Sequence, residues 1–296
     1  MADITDPRFT NRSYDPSDFS WAIPFMRAGY AGRALVYAVI SIYSLYAIWR
    51  GGQAQGTAEA LRQLETAPWG NAVLAAIAIG LLAYAIWRCI DALWDLEDYG
   101  RGGKGAVARI GMVVTGLIHG ALGIAAGALL FAAGGGQGGQ GGTITQIVSD
   151  MMRDPGGRWA IGIAGALTIG AGIYYLAKAI RQSYRNHLRA NRFTLNWSRV
   201  LQAGIAAQGV VVSFVGGFLV WAAWTANPYE AGGLGKTFDW LAAQTYGQIL
   251  TTALALGLLA FALFCLVNAM HRIVPKAAGD DTVTLARKMK AAAGRG

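Results

Sequence analysis

The sequence predicts an all-α integral membrane protein: six transmembrane helices forming three parallel two-helix repeats in a pseudo-threefold bundle. Three observations carry that prediction. Of 296 residues, 54% are hydrophobic and only 14% charged, where a soluble chain carries about a quarter charged residues. Six apolar runs are each long enough to cross a bilayer, which takes about 20 residues at 1.5 Å rise. And one plan is written three times. It opens at Arg27-Ala-Gly29, Arg109-Ile-Gly111 and Gln202-Ala-Gly204, and returns through Gly80-Leu-Leu-Ala-Tyr84, Gly170-Ala-Gly-Ile-Tyr174 and Gly257-Leu-Leu-Ala-Phe261.

Residues 1–24 read as a polar leader carrying Asp3, Asp6, Arg8, Arg12, Asp15 and Asp18, without the short apolar core of a signal peptide. Trp21 to Phe25 is the approach to the membrane interface, where amphipathic rings sit. Repeat 1 spans 25–95, with transmembrane segments at Ala31–Trp49 and Asn71–Leu93. Between them Thr57 is expected to cap a short helix, before Pro68-Trp69-Gly70. Repeat 2 spans 105–182, with segments Val107–Ala133 and Trp159–Ala179. Its Gly134–Gly142 tract reads as a flexible linker and lacks the Gly-Lys-Ser/Thr ending of a phosphate-binding loop. Thr143 then repeats the threonine-led turn. Beyond the basic stretch Arg181–Arg199, repeat 3 spans 198–273, with segments Ala203–Trp224 and Ile249–Met270 and a third such turn at Thr237. A basic tail, 274–296, carries Lys276, Arg287, Lys288, Lys290 and Arg295.

Six spans place both termini on one side. Of the 25 Lys and Arg residues, all but Arg50, Arg62, Arg153, Arg158 and Lys236 fall on that side. Basic residues near span ends stay cytoplasmic, so both termini are expected in the cytoplasm. The net charge of +9 then reads as topology and contact with anionic lipids on the cytoplasmic face. A nucleic-acid role for Arg181–Arg199 is not needed to explain it.

Superposing the copies yields sets of residues that should share a depth. Arg33, Thr115 and Gln208 form one polar set, expected about one turn inside the cytoplasmic face. Tyr37, His119 and Val212 form the next, with His119 near the bilayer centre. An ionisable residue there is a functional candidate because burying it in lipid is costly; the alternative is a neutral His bonded to a neighbouring helix, Tyr37 being the nearest candidate. The returning spans supply Tyr84, Tyr174 and Phe261, then Arg88, Lys178 and Cys265, then Asp91, Arg181 and Asn268. Two readings fit these: an aromatic belt with snorkelling cations, or a charge cluster in which Asp91 pairs with Arg181 or Arg88 to clamp repeats together and Arg33 with Arg88 binds an anionic headgroup.

The Arg27-x-Gly29-Tyr30-x-x-Arg33-x-x-x-Tyr37 opening, the Thr-led turn, Pro68-Trp69-Gly70 and the Gly80-Leu-x-x-Tyr84-x-x-Trp87-Arg88 return resemble family 1206 of the domains of unknown function. The resemblance covers nearly the whole chain after Ser20, although the second and third copies depart from it at the arginine and tyrosine positions. It implies a bacterial inner-membrane protein of three two-span modules, and implies no activity. Cys89 and Cys265 read as packed thiols, and no His, Cys or carboxylate spacing suggests a metal or cofactor. Catalysis has little support: Ser41, Ser44 and Ser213 have no paired base at a recognisable spacing, and Glu59 and Glu65 sit on a short loop helix. The expected functions are therefore a small-ion or lipid-headgroup binding or permeation module at Arg33 and His119, or a scaffold that docks a membrane-protein partner through Gly116, Gly120, Gly123 and Gly127.

Overall fold

The structure, a computed structural model, describes residues 15–100, 102–131, 140–279 and 282–293. Asp3, Asp6, Arg8, Arg12, Ala133, Arg295 and most of the glycine tract lie outside the described residues, as does the side chain of Thr143. Eleven α-helices occur among them: α1 (Ile23–Trp49), α2 (Thr57–Glu65), α3 (Gly70–Trp94), α4 (Gly103–Phe131), α5 (Gln140–Arg153), α6 (Gly157–Ile180), α7 (Arg192–Asn196), α8 (Ser198–Thr225), α9 (Leu234–Ala242), α10 (Gly247–His271) and α11 (Leu285–Ala293). Helices α1, α3, α4, α6, α8 and α10 are long and apolar enough to cross a membrane. No strand is present among the described residues, only isolated bridges. The protein is a six-span, multi-pass membrane protein.

Aromatic side chains mark the two ends of the spans. Trp21 and Trp94 meet edge-on at 6.0 Å on the face where the termini lie, and Trp49, Trp69, Trp159 and Trp224 are exposed at the opposite, loop-bearing face. Such rings settle at headgroup level. Helix α1 begins eight residues earlier than expected, because Pro24 presets helical backbone in its first turn and Met26 and Tyr30 then have core to bury against. Arg33 therefore lies ten residues inside α1, about 15 Å along its axis.

The threonines do not cap the loop helices. Gly56 and Gly233 are the residues before α2 and α9, and the Thr237 hydroxyl instead donates back to the Gly233 carbonyl at 3.1 Å. Helix α5 already begins at Gln140. The reason at α2 is close approach: a Cβ on Gly56 would stand 2.8 Å from the Gly235 Cα, so no side chain fits where a cap would sit.

The spans pack in the order α4–α3–α1–α10–α8–α6. The hairpins α1/α3 and α8/α10 pack on themselves, but α4 and α6 have no comparable contact. The second repeat is thus split across the two ends of the series, and its hairpin is open where a closed pseudo-threefold ring would join it.

On the terminal face the connections are sewn together. Leu188 and Arg189 bridge to Arg272 and Thr284, the Ile273 N–H donates to the His187 carbonyl at 2.8 Å, and the Lys276 N–H donates to the Leu96 carbonyl at 3.2 Å. The stretch expected as a basic loop and tail is therefore folded onto the ends of α3 and α10, with Leu188 and Leu285 fully buried.

Candidate functional site

Tyr84, fully buried in α3, is the hub of the polar interior. Its hydroxyl accepts from Arg33 Nη1 and from Arg88 Nε, both at 2.9 Å. Two guanidinium donors occupy the oxygen's lone pairs, leaving only its own proton to give. The Arg33 guanidinium also lies 4.8 Å from the Tyr84 ring centre, 5.4 Å from Phe261 and 6.0 Å from Tyr37. Arg33 is 4% exposed, yet among the described residues no carboxylate pairs with it, and its Nε has no hydrogen-bond partner. Each cation–π contact is worth about 0.5–2 kcal/mol, whereas the effective penalty for burying an ion is several kcal/mol. Three such contacts and the Tyr84 hydrogen bond are together of the same order as that penalty, but none of them supplies an opposite charge.

Nearer the terminal face the charges are paired. Helix α3 ends where Asp95 adopts a left-handed conformation (φ 52°), which Asp tolerates better than most residues, and its carboxylate accepts from the N–H groups of Tyr99 and Gly100. That turn folds Glu97 under the helix end, where its N–H donates to Asp91 Oδ1 at 3.1 Å. Arg88 Nη1 then lies 3.2 Å from Asp91 Oδ2 and 3.7 Å from Glu97 Oε1, while Arg272, at the end of α10, donates directly to Glu97. Burial alone would push the Glu97 carboxyl up, but the Arg272 and Arg88 charges and the Arg272 hydrogen bond hold it well below the ordinary carboxylate range. Arg272 in turn packs over the Tyr30 ring at 5.3 Å.

Of the expected ligand set, Arg33, Tyr37 and His119 gather around Tyr84 and Phe261. Tyr37 is half-buried and meets Phe261 edge-on at 4.8 Å. His119 does not pair with Tyr37. Its Nδ1 bonds the Thr115 carbonyl at 2.8 Å one turn back, and its ring lies 4.8 Å from Tyr84, because α4 packs on α3 and not on α1. The Thr115 hydroxyl bonds its own helix at Gly111. Gln208 is buried with its Oε1 unpartnered. In the expected charge cluster, Asp91 is paired with Arg88 on its own helix. Arg181 is exposed past the end of α6, so the Asp91–Arg181 clamp is not formed. Lys178 is half-buried two residues before the end of α6. The aromatic-belt reading fits Tyr174, which is half exposed, but Tyr84 and Phe261 are core.

Sequence reasoning missed the Glu97–Arg272 pair, which joins residues 175 apart. The available signal was position: Glu97 follows the second span by three residues and Arg272 directly follows the sixth.

The split second hairpin differs from the other two in how its glycines pack. In the first repeat, Gly29 lies against the Tyr84 backbone and Gly32 against Gly80, where an added Cβ would fall 2.6 and 2.7 Å from main-chain atoms. In the third, Gly204 lies against Ala260 and Phe261, and Gly257 against Ala207. The corresponding Gly111 and Gly170 of the second repeat have open space around them. Gly32 and Ala207 are matched there by Val114, a branched residue where the two closed crossings have small ones. A slot lies between α4 and α6.

The glycines proposed to meet a partner are used internally. Gly116, Gly120, Gly123 and Gly127 lie against Arg88, Ala85, Ala78 and Leu81 of α3. On the loop face, Glu65 is exposed and Glu59 faces another acid, Asp239, whose carboxyl is pushed up by burial and by Glu59. A recess of about 560 Å³ opens between α8 and α9 beside Phe214, Trp221 and Trp240, where Lys236 and Glu230 are already paired at 3.0 Å.

Comparison with known proteins places this geometry in context. The family model described as Domain of Unknown Function (DUF1206) matches residues 28–95, 110–182 and 203–272. The chain is also 29% identical over 260 residues to "Uncharacterized protein YxxB" of Bacillus subtilis (strain 168), covering 85% of this chain and 92% of that protein. No solved structure matches the chain.

Proposed function

The chain belongs to the DUF1206 family, whose description assigns no activity, and from the site itself we propose that the protein binds an oxyanion group, a phosphate or carboxylate, at Arg33. The observation that carries this reading is a buried guanidinium with an unpartnered Nε and no carboxylate among the described residues. A counter-anion would supply what the aromatic cage does not. Around Arg33 the Tyr84 hydroxyl proton is oriented to donate by its two guanidinium contacts, and His119 stands against the same ring. Arginine suits the task because its planar fork meets phosphate and carboxylate bidentately. The bacterial inner membrane, with both termini cytoplasmic, is the setting this reading adopts, which puts the site on the side of anionic lipid.

The test is thermal unfolding of purified protein in neutral detergent at constant ionic strength. The probes are inorganic phosphate and a short-chain, water-soluble phosphatidylglycerol. A ligand that binds only the folded state raises the midpoint with concentration. At least one probe should stabilise the wild type, and Arg33→Gln should lose that response. An equal response in Arg33→Gln to every probe that acts would refute the reading.

A further inference from the structure

Several observations meet at the seam between α4 and α6. Of the three hairpins this one is open, and it carries Val114 where the others have Gly32 and Ala207. Val114 and Ile118 on α4 and Leu167 on α6 match Gly32, Val36 and Ile77 of the closed first hairpin, and here all three are apolar and exposed. At its inner edge lies Arg33. His119 of α4 lies 4.8 Å from the Tyr84 ring that holds Arg33, and Tyr175 of α6 packs against the same core as Tyr84 and Phe261. Lys178, two residues from the end of α6, stands between Arg33 and the terminal face. Among the described residues, the ion pairs of this interior join Arg88 and Arg272 to Asp91 and Glu97, and none reaches Arg33.

We infer that the α4–α6 slot is a lateral opening through which an acidic membrane lipid places its headgroup at Arg33, with its acyl chains along Val114, Ile118 and Leu167. This rests on the oxyanion reading and names the source of the anion. A dissolved anion needs no passage to the lipid phase. A lipid does, and a cleft walled by aliphatic side chains and ending at an uncompensated cation matches both halves of one. The excess positive charge selects an acidic headgroup over a zwitterionic one, because a choline ammonium would add a further cation to the same interior.

Gly111 and Gly170 make the inference separable from the anion reading, because side chains added there have room and do not touch Arg33. The experiment reconstitutes the full chain in phosphatidylcholine vesicles containing spin-labelled phosphatidylglycerol, or spin-labelled phosphatidylcholine as the control. The readout is the fraction of labelled lipid that is motionally restricted. Wild type should restrict phosphatidylglycerol in preference to phosphatidylcholine. Gly170→Phe should weaken that preference by about tenfold or more, as should Arg33→Gln, on the scale of a lost hydrogen bond to a charged group. Stabilisation by inorganic phosphate, where the wild type shows it, should survive Gly170→Phe and be lost in Arg33→Gln.

Preference unchanged in Gly170→Phe but lost in Arg33→Gln would overturn the lateral opening and leave the anion site standing. Preference unchanged in both would overturn both. A Gly111→Cys variant that crosslinks to a second copy in the same vesicles would show the slot covered by protein and would likewise overturn it.

Discussion

Replacing Glu97 by Gln should destabilise the protein more than any other change to a single loop side chain. The side chains of Glu97 and Arg272 are 3% and 5% exposed, and removing one partner of a buried pair costs about 3–5 kcal/mol because the other charge is left uncompensated. Gln keeps the volume of Glu, so no cavity adds to that figure. Arg88 retains Asp91 at 3.2 Å, and Arg272 retains the Asn268 amide oxygen at 2.8 Å and the Tyr30 ring. The expected loss therefore sits at the lower end, about 3 kcal/mol. It can be read from reversible unfolding in mixed micelles of dodecyl sulfate and neutral detergent, followed by tryptophan fluorescence. The cycle of Glu97→Gln, Arg272→Gln and the double variant should give a coupling of about 2 kcal/mol or more. A pH series adds a sign. The native carboxyl is held below its ordinary 4.5, so its contribution is complete above that pH and is lost as pH falls beneath it. Glu97→Gln should flatten that acid limb. A loss under about 1 kcal/mol, or no coupling to Arg272, would refute the claim that this pair ties α3 to α10.

Other expectations follow from the same geometry. Gly204→Ala should destabilise the fold, since its Cβ would fall 2.5 Å from the Phe261 nitrogen, whereas Gly111→Ala at the matching position should be near neutral. Unfolding midpoints of the two variants check this. Val114→Gly should let α4 and α6 close, shortening the distance between spin labels at Ile118→Cys and Leu167→Cys; an unchanged distance would remove Val114 as the cause of the opening. In a background lacking Cys89 and Cys265, a membrane-impermeant maleimide added to intact cells should label Thr66→Cys and spare Gly279→Cys. The reverse pattern would invert the topology.

The spans were legible because bilayer crossing demands about 20 apolar residues, a requirement that local composition expresses directly. The repeat was legible through its glycines. What those glycines do was not: identical positions support a tight crossing at Gly29 and Gly204 and an open slot at Gly111, because a partner residue far along the chain decides the outcome. The early start of α1 was masked by Arg27 and Pro24, which interrupt hydropathy without interrupting a helix. Arg33 was identified from residue type and position, but its lack of a carboxylate partner required the packing. Glu97 and Arg272 lie just past the ends of the second and sixth spans, and the packing that joins residues 175 apart is visible in neither span end alone. The open second hairpin likewise depends on where α3 and α8 draw their neighbours, which a two-span module considered alone does not reveal.

The most direct measurement is native mass spectrometry of the protein released from its own membrane, wild type beside Arg33→Gln. One acidic phospholipid should be retained per wild-type chain, and the variant, folded and inserted, should lose it. Equal retention of the same lipid by both, or a wild-type chain carrying only zwitterionic lipid, would contradict an anion site at Arg33 supplied from the bilayer.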